Sequence, residues 1–254
     1  RDLGEVIFLG DVAELRQVEE SESGLTLGAA VTLEDGWAAL LRHWPSLSEM
    51  ARRFAGPPVR HAGTLVGNLA NGSPIGDSAP VLIALGASLR LRCGSASRDV
   101  RLQDFYLDYM KNQLQPGEFV ESVCVPWQTG EAGWQVQAHK ISKRFDCDIS
   151  ALSAGFALQL DGDRVADVRL AYGGMAGIVK RASAAEAALR GQPWNEGPLR
   201  AAQAALAQDF QPLSDLRASA DYRRQTAAAL LERLWLSTRL AQPVSLAQLR
   251  VHAA

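Results

Sequence analysis

The chain has 254 residues, 47% of them hydrophobic and 21% charged, which excludes disorder, collagen-like repetition and coiled coil and allows one or two domains with a real core. Its 26 basic and 28 acidic residues leave a formal charge of −2, which argues against a nucleic-acid surface or a polybasic membrane anchor. The longest apolar stretch, 79–87, contains Pro80 and Gly86 and falls well short of the ~20 residues that span a bilayer, and no basic segment leading into an apolar one opens the chain. The expectation is a protein without membrane or nucleic-acid partners, located in the cytoplasm. Cys93, Cys124 and Cys147 are odd in number and far apart, without the close spacing that iron–sulfur clusters or structural zinc need. No metal site is expected here. Arg1 opens the chain without a methionine, and residues 1–5 read like the middle of an element, so the chain is taken as a piece of a longer polypeptide.

In chain order, 25–30 reads as a strand, and Thr32 caps a helix on which Leu33, Trp37, Leu40, Leu41 and Trp44 recur at helical spacing. Ser46 and Glu49 read as a capping box for a second helix that Gly56-Pro57-Pro58 stops. Residues 64–80 read as a long irregular segment with a helix starting near Ser78, 81–87 as a short helix, and 88–93 and 119–125 as half-buried strands. A boundary is expected over 126–133. Beyond it, 135–141, 151–160 and 165–172 read as strands, the last two joined at Asp161-Gly162. Three helices follow: one from a Ser183 to Glu186 capping box, one opened by Pro198, and a long one carrying Ala227, Leu230, Leu231 and Leu234. Trp37, Trp44, Trp194 and Trp235 sit on helical patterns and read as core, whereas Arg223, Arg224, Arg233 and Arg239 read as a solvated or subunit-facing surface. His43, His61, His139 and His252 are scattered and read as surface or capping residues.

The segment 64–80 gathers Gly, Asn, Ser and Pro around one carboxylate, Asp77. Glycines let backbone N–H groups approach a ligand, and Thr64, Asn68, Asn71 and Ser73 add side-chain donors and acceptors suited to phosphate or ribose. By composition alone the plainer reading, a surface loop of turn formers, is favoured. No G-x-G-x-x-G or Walker A pattern is present, so neither a Rossmann site nor a P-loop is read.

The run Thr64-Leu65-Val66-Gly67-Asn68 into Ala70-Asn71-Gly72-Ser73-Pro74-Ile75-Gly76-Asp77-Ser78-Ala79-Pro80 resembles the second FAD-binding loop of the molybdenum hydroxylases, T-x-G-G-N-x-x-x-A-S-P-x-x-D-x-x-P. Its Asn68 and its Ser-Pro-Ile ending resemble xanthine dehydrogenases more than carbon monoxide dehydrogenase flavoproteins. Residues 54–60 resemble the segment leading into that loop, 140–151 the family's K-x-S-x-R…D-I-A segment, and 171–176 its Y-G-G-M-A strand end. Val66 departs from the pattern, which has Gly there, and the family's first Gly-rich FAD loop would lie upstream of Arg1.

The resemblance implies an α+β fold: an FAD-binding domain of the molybdenum hydroxylase flavoprotein type over 1–128, then a small subdomain with an antiparallel sheet and helices over 134–242. It implies that Thr64, Gly67, Asn68, Asn71 and Ser73 contact the FAD pyrophosphate and ribitol, that Asp77 fixes the adenosine side, and that Val120 lines the pocket. Lys140 would lie beside the isoalloxazine, and Arg144, Asp146 and Asp148 near the face that nicotinamide approaches, which makes Lys140 and Arg144 the candidate catalytic residues. The implied function is that of the FAD-containing part of an NAD-dependent xanthine dehydrogenase in purine catabolism. The 2Fe-2S clusters and the molybdenum cofactor would be held by an iron–sulfur domain and a molybdenum subunit or domain elsewhere in the enzyme. The alternatives are the flavoprotein part of a carbon monoxide or N-heterocycle hydroxylase, or a non-catalytic module that has lost its flavin.

Overall fold

A computed structural model of the chain describes residues 6–127 and 133–249. The boundary expected over 126–133 lies largely outside the described residues. The first half runs β1 (Val18–Ser21), β2 (Gly24–Gly28), α1 (Leu33–His43), α2 (Ser48–Arg53), α3 (Pro57–Ala62), α4 (Leu65–Ala70), α5 (Ser78–Ala84), β3 (Ser88–Cys93), β4 (Ala96–Arg101), α6 (Leu102–Phe105), β5 (Tyr106–Asp108), β6 (Lys111–Asn112) and β7 (Phe119–Pro126). The second half runs β8 (Gln135–Ile141), β9 (Leu152–Asp161), β10 (Arg164–Gly173), β11 (Lys180–Arg181), α7 (Ser183–Leu189), α8 (Glu196–Asp209) and α9 (Ala220–Thr238). The architecture is mixed helix and sheet. Among the described residues no helix is long and apolar enough to cross a membrane.

A five-stranded antiparallel sheet in the order β1-β2-β7-β3-β4 carries the first core. Leu25, Leu27, Leu89 and Leu91 face the helices on one side of it. On β7 the partners of β3 jump from Val120 opposite Leu91 to Ser122 opposite Arg90, leaving Glu121 as an extra residue. This bulge breaks the period of two, so that Val120, Val123 and Val125 all turn inward. Glu121 itself points out to the Arg92 guanidinium at 2.5 Å.

Thr32 caps α1 as its sequence implies, its hydroxyl oxygen accepting from Asp35 N–H at 3.0 Å. The two capping boxes do not form. Pro45–Leu47 makes a 3-10 turn ahead of α2, and Glu49 pairs with Arg53 at 3.4 Å instead of reaching back. At α7 the first-turn N–H groups of Ala184 and Ala185 donate to Asp209, a partner from the end of α8, while Glu186 turns inward to Arg181, Arg190 and Leu170 N–H. Pro57 does not merely end a helix but opens α3 at its first turn, where a missing N–H is harmless.

The second sheet, β11-β10-β9-β8, is antiparallel and buried on both faces. Leu152, Ala154, Phe156 and Leu158 of β9 and Val168, Leu170 and Tyr172 of β10 pack under α7, α8 and α9. The intervening Gly155 and Ala157, with Ala171 and Gly173 of β10, present small residues to α5, which packs on both strands. Every residue of α5 is buried: it sits on β9 and β10, and its side chains join the core of the first half. Arg223, read from the sequence as a surface residue, is 2% exposed; its guanidinium donates to the carbonyls of Ala151 and Gly174 and pairs with Asp215, tying α9 to the ends of β9 and β10. That correction follows from carbonyls that the strand ends leave without a ladder partner.

Candidate flavin site

The stretch 64–80 is not irregular but two helices around a turn. Thr64 Oγ1 accepts from Gly67 N–H at 3.0 Å and so caps α4. A Cβ on Gly67 would lie 2.6 Å from that oxygen, so any larger residue would displace the cap. Leu65, Val66 and Leu69 are buried. Thr64, Gly67, Asn68 and Asn71 recur at the spacing i, i+3, i+4, i+7 and make the opposite, polar face.

That face joins two cavities. Thr64, Gly67 and Val120 line one of about 1010 Å³ between α1, α4 and β7. Asn68, Asn71, Ser73, Asp77 and Lys140 line another of about 400 Å³. Arg144 opens on a third, of about 680 Å³, that Lys140 also lines. In the second cavity Asn68 Oδ1 is buried with no hydrogen-bond partner among the described residues. The turn beneath is set by Ser73, whose carbonyl accepts from Gly76 N–H at 3.1 Å and whose hydroxyl accepts from Ile75 N–H at 3.4 Å. Ala55 and Cys147, at φ of 46° and 52°, line the same cavity in the left-handed region; such strain, of order 1–2 kcal/mol per residue, gathers at functional sites.

Lys140 and Asp77 form a buried pair. Lys140 Nζ donates to Asp77 Oδ2 at 2.5 Å and to Ser150 Oγ at 2.7 Å, and Ser150 Oγ donates to Asp77 Oδ1 at 2.5 Å. Their side chains are 2% and 9% exposed. The resemblance puts Asp77 at the adenosine end and Lys140 at the flavin end of one dinucleotide; in the fold the two side chains meet at one place. Ser150 is the residue the sequence reading missed. Its signal was visible: the family pattern ends D-I-A, and this chain ends Asp148-Ile149-Ser150.

The loop after β8 is held from both sides. Asp148 accepts from the N–H groups of Arg144 and Ile149 at 2.9 and 3.0 Å, and the first of these bonds, with the Arg144 guanidinium, holds its carboxyl below the usual range. Arg53 of α2 donates to the Phe145 carbonyl at 2.6 Å and lies 4.8 Å over the Phe145 ring. Arg144 is 75% exposed in its side chain, so it lines its cavity at the rim. Asp146, two residues on, is also exposed.

Beside Lys140, the His139 ring packs on Phe156 with centroids 5.6 Å apart, and its Nε2 is buried without a partner among the described residues. Burial, helped by the nearby Arg233 charge, holds its pKa down to about 3. The unfolded chain binds the proton near pH 6.5, so this contribution is complete above that pH and is lost as pH falls toward 3. Linkage predicts a loss of about 2 kcal/mol by pH 5. Urea unfolding at pH 7.5 and pH 5 should show it, and His139→Phe should remove that part of the difference.

Comparison with known proteins matches this architecture. Residues 1–128 match the FAD binding domain in molybdopterin dehydrogenase, and 137–238 the CO dehydrogenase flavoprotein C-terminal domain. A xanthine dehydrogenase FAD-binding subunit of Escherichia coli O157:H7 is 31% identical over 224 residues, covering 86% of this chain and 75% of that protein. Nicotinate hydroxylase of Emericella nidulans is 30% identical over 250 residues, covering 90% of this chain, which thus spans only 18% of that longer protein. Reconstituted CO dehydrogenase from Oligotropha carboxidovorans superposes with a TM-score of 0.80 at 26% identity, over 89% of this chain and 78% of that one. With its cap, its polar helix face and these matches along nearly its whole length, the chain belongs to the FAD-binding flavoproteins of the molybdenum hydroxylases.

Proposed function

We propose that the chain holds FAD along the polar face of α4 and passes electrons from 2Fe-2S centres to NAD within a xanthine-dehydrogenase-like enzyme of purine catabolism. The iron–sulfur domain and the molybdenum-cofactor subunit or domain would lie elsewhere in that enzyme. The observation that carries the reading is the stripe Thr64, Gly67, Asn68 and Asn71, which links two cavities and leads to the Lys140 ammonium. The residues fit the cofactor. Asn68 Oδ1 is an orphaned buried acceptor suited to a ribitol hydroxyl, and Gly67 keeps the middle of the stripe free of side chain.

Bound there, the flavin supplies the redox chemistry, and the protein supplies binding, orientation and charge. Thr64 uses its oxygen as a cap acceptor, which leaves its O–H to donate to a phosphate oxygen. Asn71 and Ser73 add donors along the same path, and Val120, 5% exposed, gives the larger cavity an apolar wall. Lys140 would supply the flavin with a charged N–H donor, whose positive charge would offset the negative charge that accompanies reduction. Asp77 pairs with that ammonium and holds it in place. Arg144 stands at the rim, where a guanidinium suits the phosphates of an arriving dinucleotide.

Two measurements on the intact enzyme test this. Asn68→Ala should weaken FAD binding roughly two- to tenfold, the worth of one neutral hydrogen bond; a fluorescence titration with unchanged affinity overturns the stripe as the binding face. Arg144→Ala should raise the KM for NAD several-fold while reduction of the iron–sulfur centres by substrate is unaltered. Stopped-flow reoxidation with wild-type NAD dependence would leave the loop as structure only. The likeness to nicotinate hydroxylase and CO dehydrogenase favours a second reading, the flavoprotein part of an enzyme for another heterocycle or for carbon monoxide. Substrate profiling of the intact enzyme separates the two, and absence of flavin absorbance would point to a non-catalytic module.

A further inference from the structure

Ser150 is 1% exposed and closes a ring of three hydrogen bonds with Lys140 and Asp77. The direction of its O–H is settled by chemistry. An ammonium has donors only, so the Ser150 oxygen must accept from Lys140 and its proton must go to Asp77. Of the three N–H donors on Lys140, Asp77 and Ser150 take two. The third is left for the cavity that Lys140 shares with Asn68 and Asn71. Ser150 stands two residues ahead of β9, and the next residue, Ala151, donates its N–H to the carbonyl of Ile141, the last residue of β8, at 2.8 Å.

We propose that Ser150 is a positioning residue that aims the third N–H of Lys140 at the flavin carbonyl. This rests on the reading of Lys140 as the group beside the flavin. With alanine at 150, Lys140 would have two undirected N–H groups and would settle between the two Asp77 oxygens. One carboxylate oxygen would also lose its donor, making the field at the cavity more negative. Both changes disfavour the reduced flavin. This chain therefore carries a serine that raises the flavin potential above that of a protein with alanine in its place.

The test is a redox titration of the flavin-loaded protein in wild type, Ser150→Ala, Lys140→Met and the double variant. Alanine is smaller than serine, so the fold has room for it. Ser150→Ala should shift the balance between oxidised and reduced flavin by about tenfold, a midpoint about 30 mV lower for a two-electron couple. Lys140→Met should shift it at least as far, and adding Ser150→Ala to it should shift it much less than in wild type, because without the ammonium the hydroxyl has no N–H group to aim. A Ser150→Ala midpoint equal to wild type, with Lys140→Met shifted, overturns the role of Ser150 and leaves Lys140 beside the flavin. A Ser150→Ala shift that persists in full beside Lys140→Met overturns action through Lys140. A Lys140→Met midpoint equal to wild type overturns the underlying reading.

Discussion

Replacing Asp77 by alanine should destabilise the protein by about 3–5 kcal/mol, the range found when one partner of a buried ion pair is removed. The reason is the stranded Lys140 ammonium, whose side chain is 2% exposed and would lie in the interior with only Ser150 to accept from it. Flavin should be lost with it, since the ammonium would no longer be held toward the cavity. Urea unfolding of Asp77→Ala and of Asp77→Ala with Lys140→Met checks the cause. The double variant should recover most of the stability, because an uncharged side chain of similar length is tolerated where a lone charge is not. A comparable change in an exposed pair, Asp99→Ala opposite Arg90, where side chains are 56% and 53% exposed, should cost under ~1 kcal/mol. Equal losses at the two sites would refute the assignment of the Asp77 effect to burial.

Gly155→Val should be nearly as damaging through backbone contact. A Cβ at 155 would lie 2.3 Å from the Pro80 carbonyl oxygen and 2.6 Å from Val81 Cα. Neither atom is the end of a flexible side chain, so β9 and α5 must separate. Overpacking of this kind costs up to about 3 kcal/mol and occasionally more. Gly133→Ala, with nothing within 4 Å of its Cβ, is the control and should leave the unfolding midpoint in place. A Gly155→Val protein with wild-type stability would mean that α5 is not seated on the second sheet.

How much of this was legible beforehand divides along physical lines. The strands β8 and β3 and the Thr32 cap follow from local pattern, because period and capping chemistry need only neighbours in sequence. The polar edge strand β4, Ala96–Arg101, shows a single buried residue, Val100, and gives no alternation to detect. The bulge at Glu121 and the carboxylate of Asp209 capping α7 depend on partners far along the chain. At the site, the residues of the 64–77 run were identifiable by motif, but their division between two cavities was not. The pairing of Asp77 with Lys140, 63 residues away, is a tertiary fact, and the motif reading placed them at opposite ends of the ligand. Ser150 stood in plain view, yet a substitution of Ala by Ser at one position has no meaning until its hydroxyl has neighbours.

Because α5 joins the core of the first half and also sits on the second sheet, its two sides are covered at different moments of synthesis. The side that joins the first core can be shielded once Pro126 has emerged, but the Pro80 and Val81 face waits for Gly155, about 70 residues after the helix is complete. At ~5–20 residues per second that interval is roughly 4–14 s on the ribosome. For that time the nascent chain presents an apolar helix face with no partner of its own, so chaperone binding during translation should centre on α5, and slowing elongation after residue 84 should lower the soluble yield.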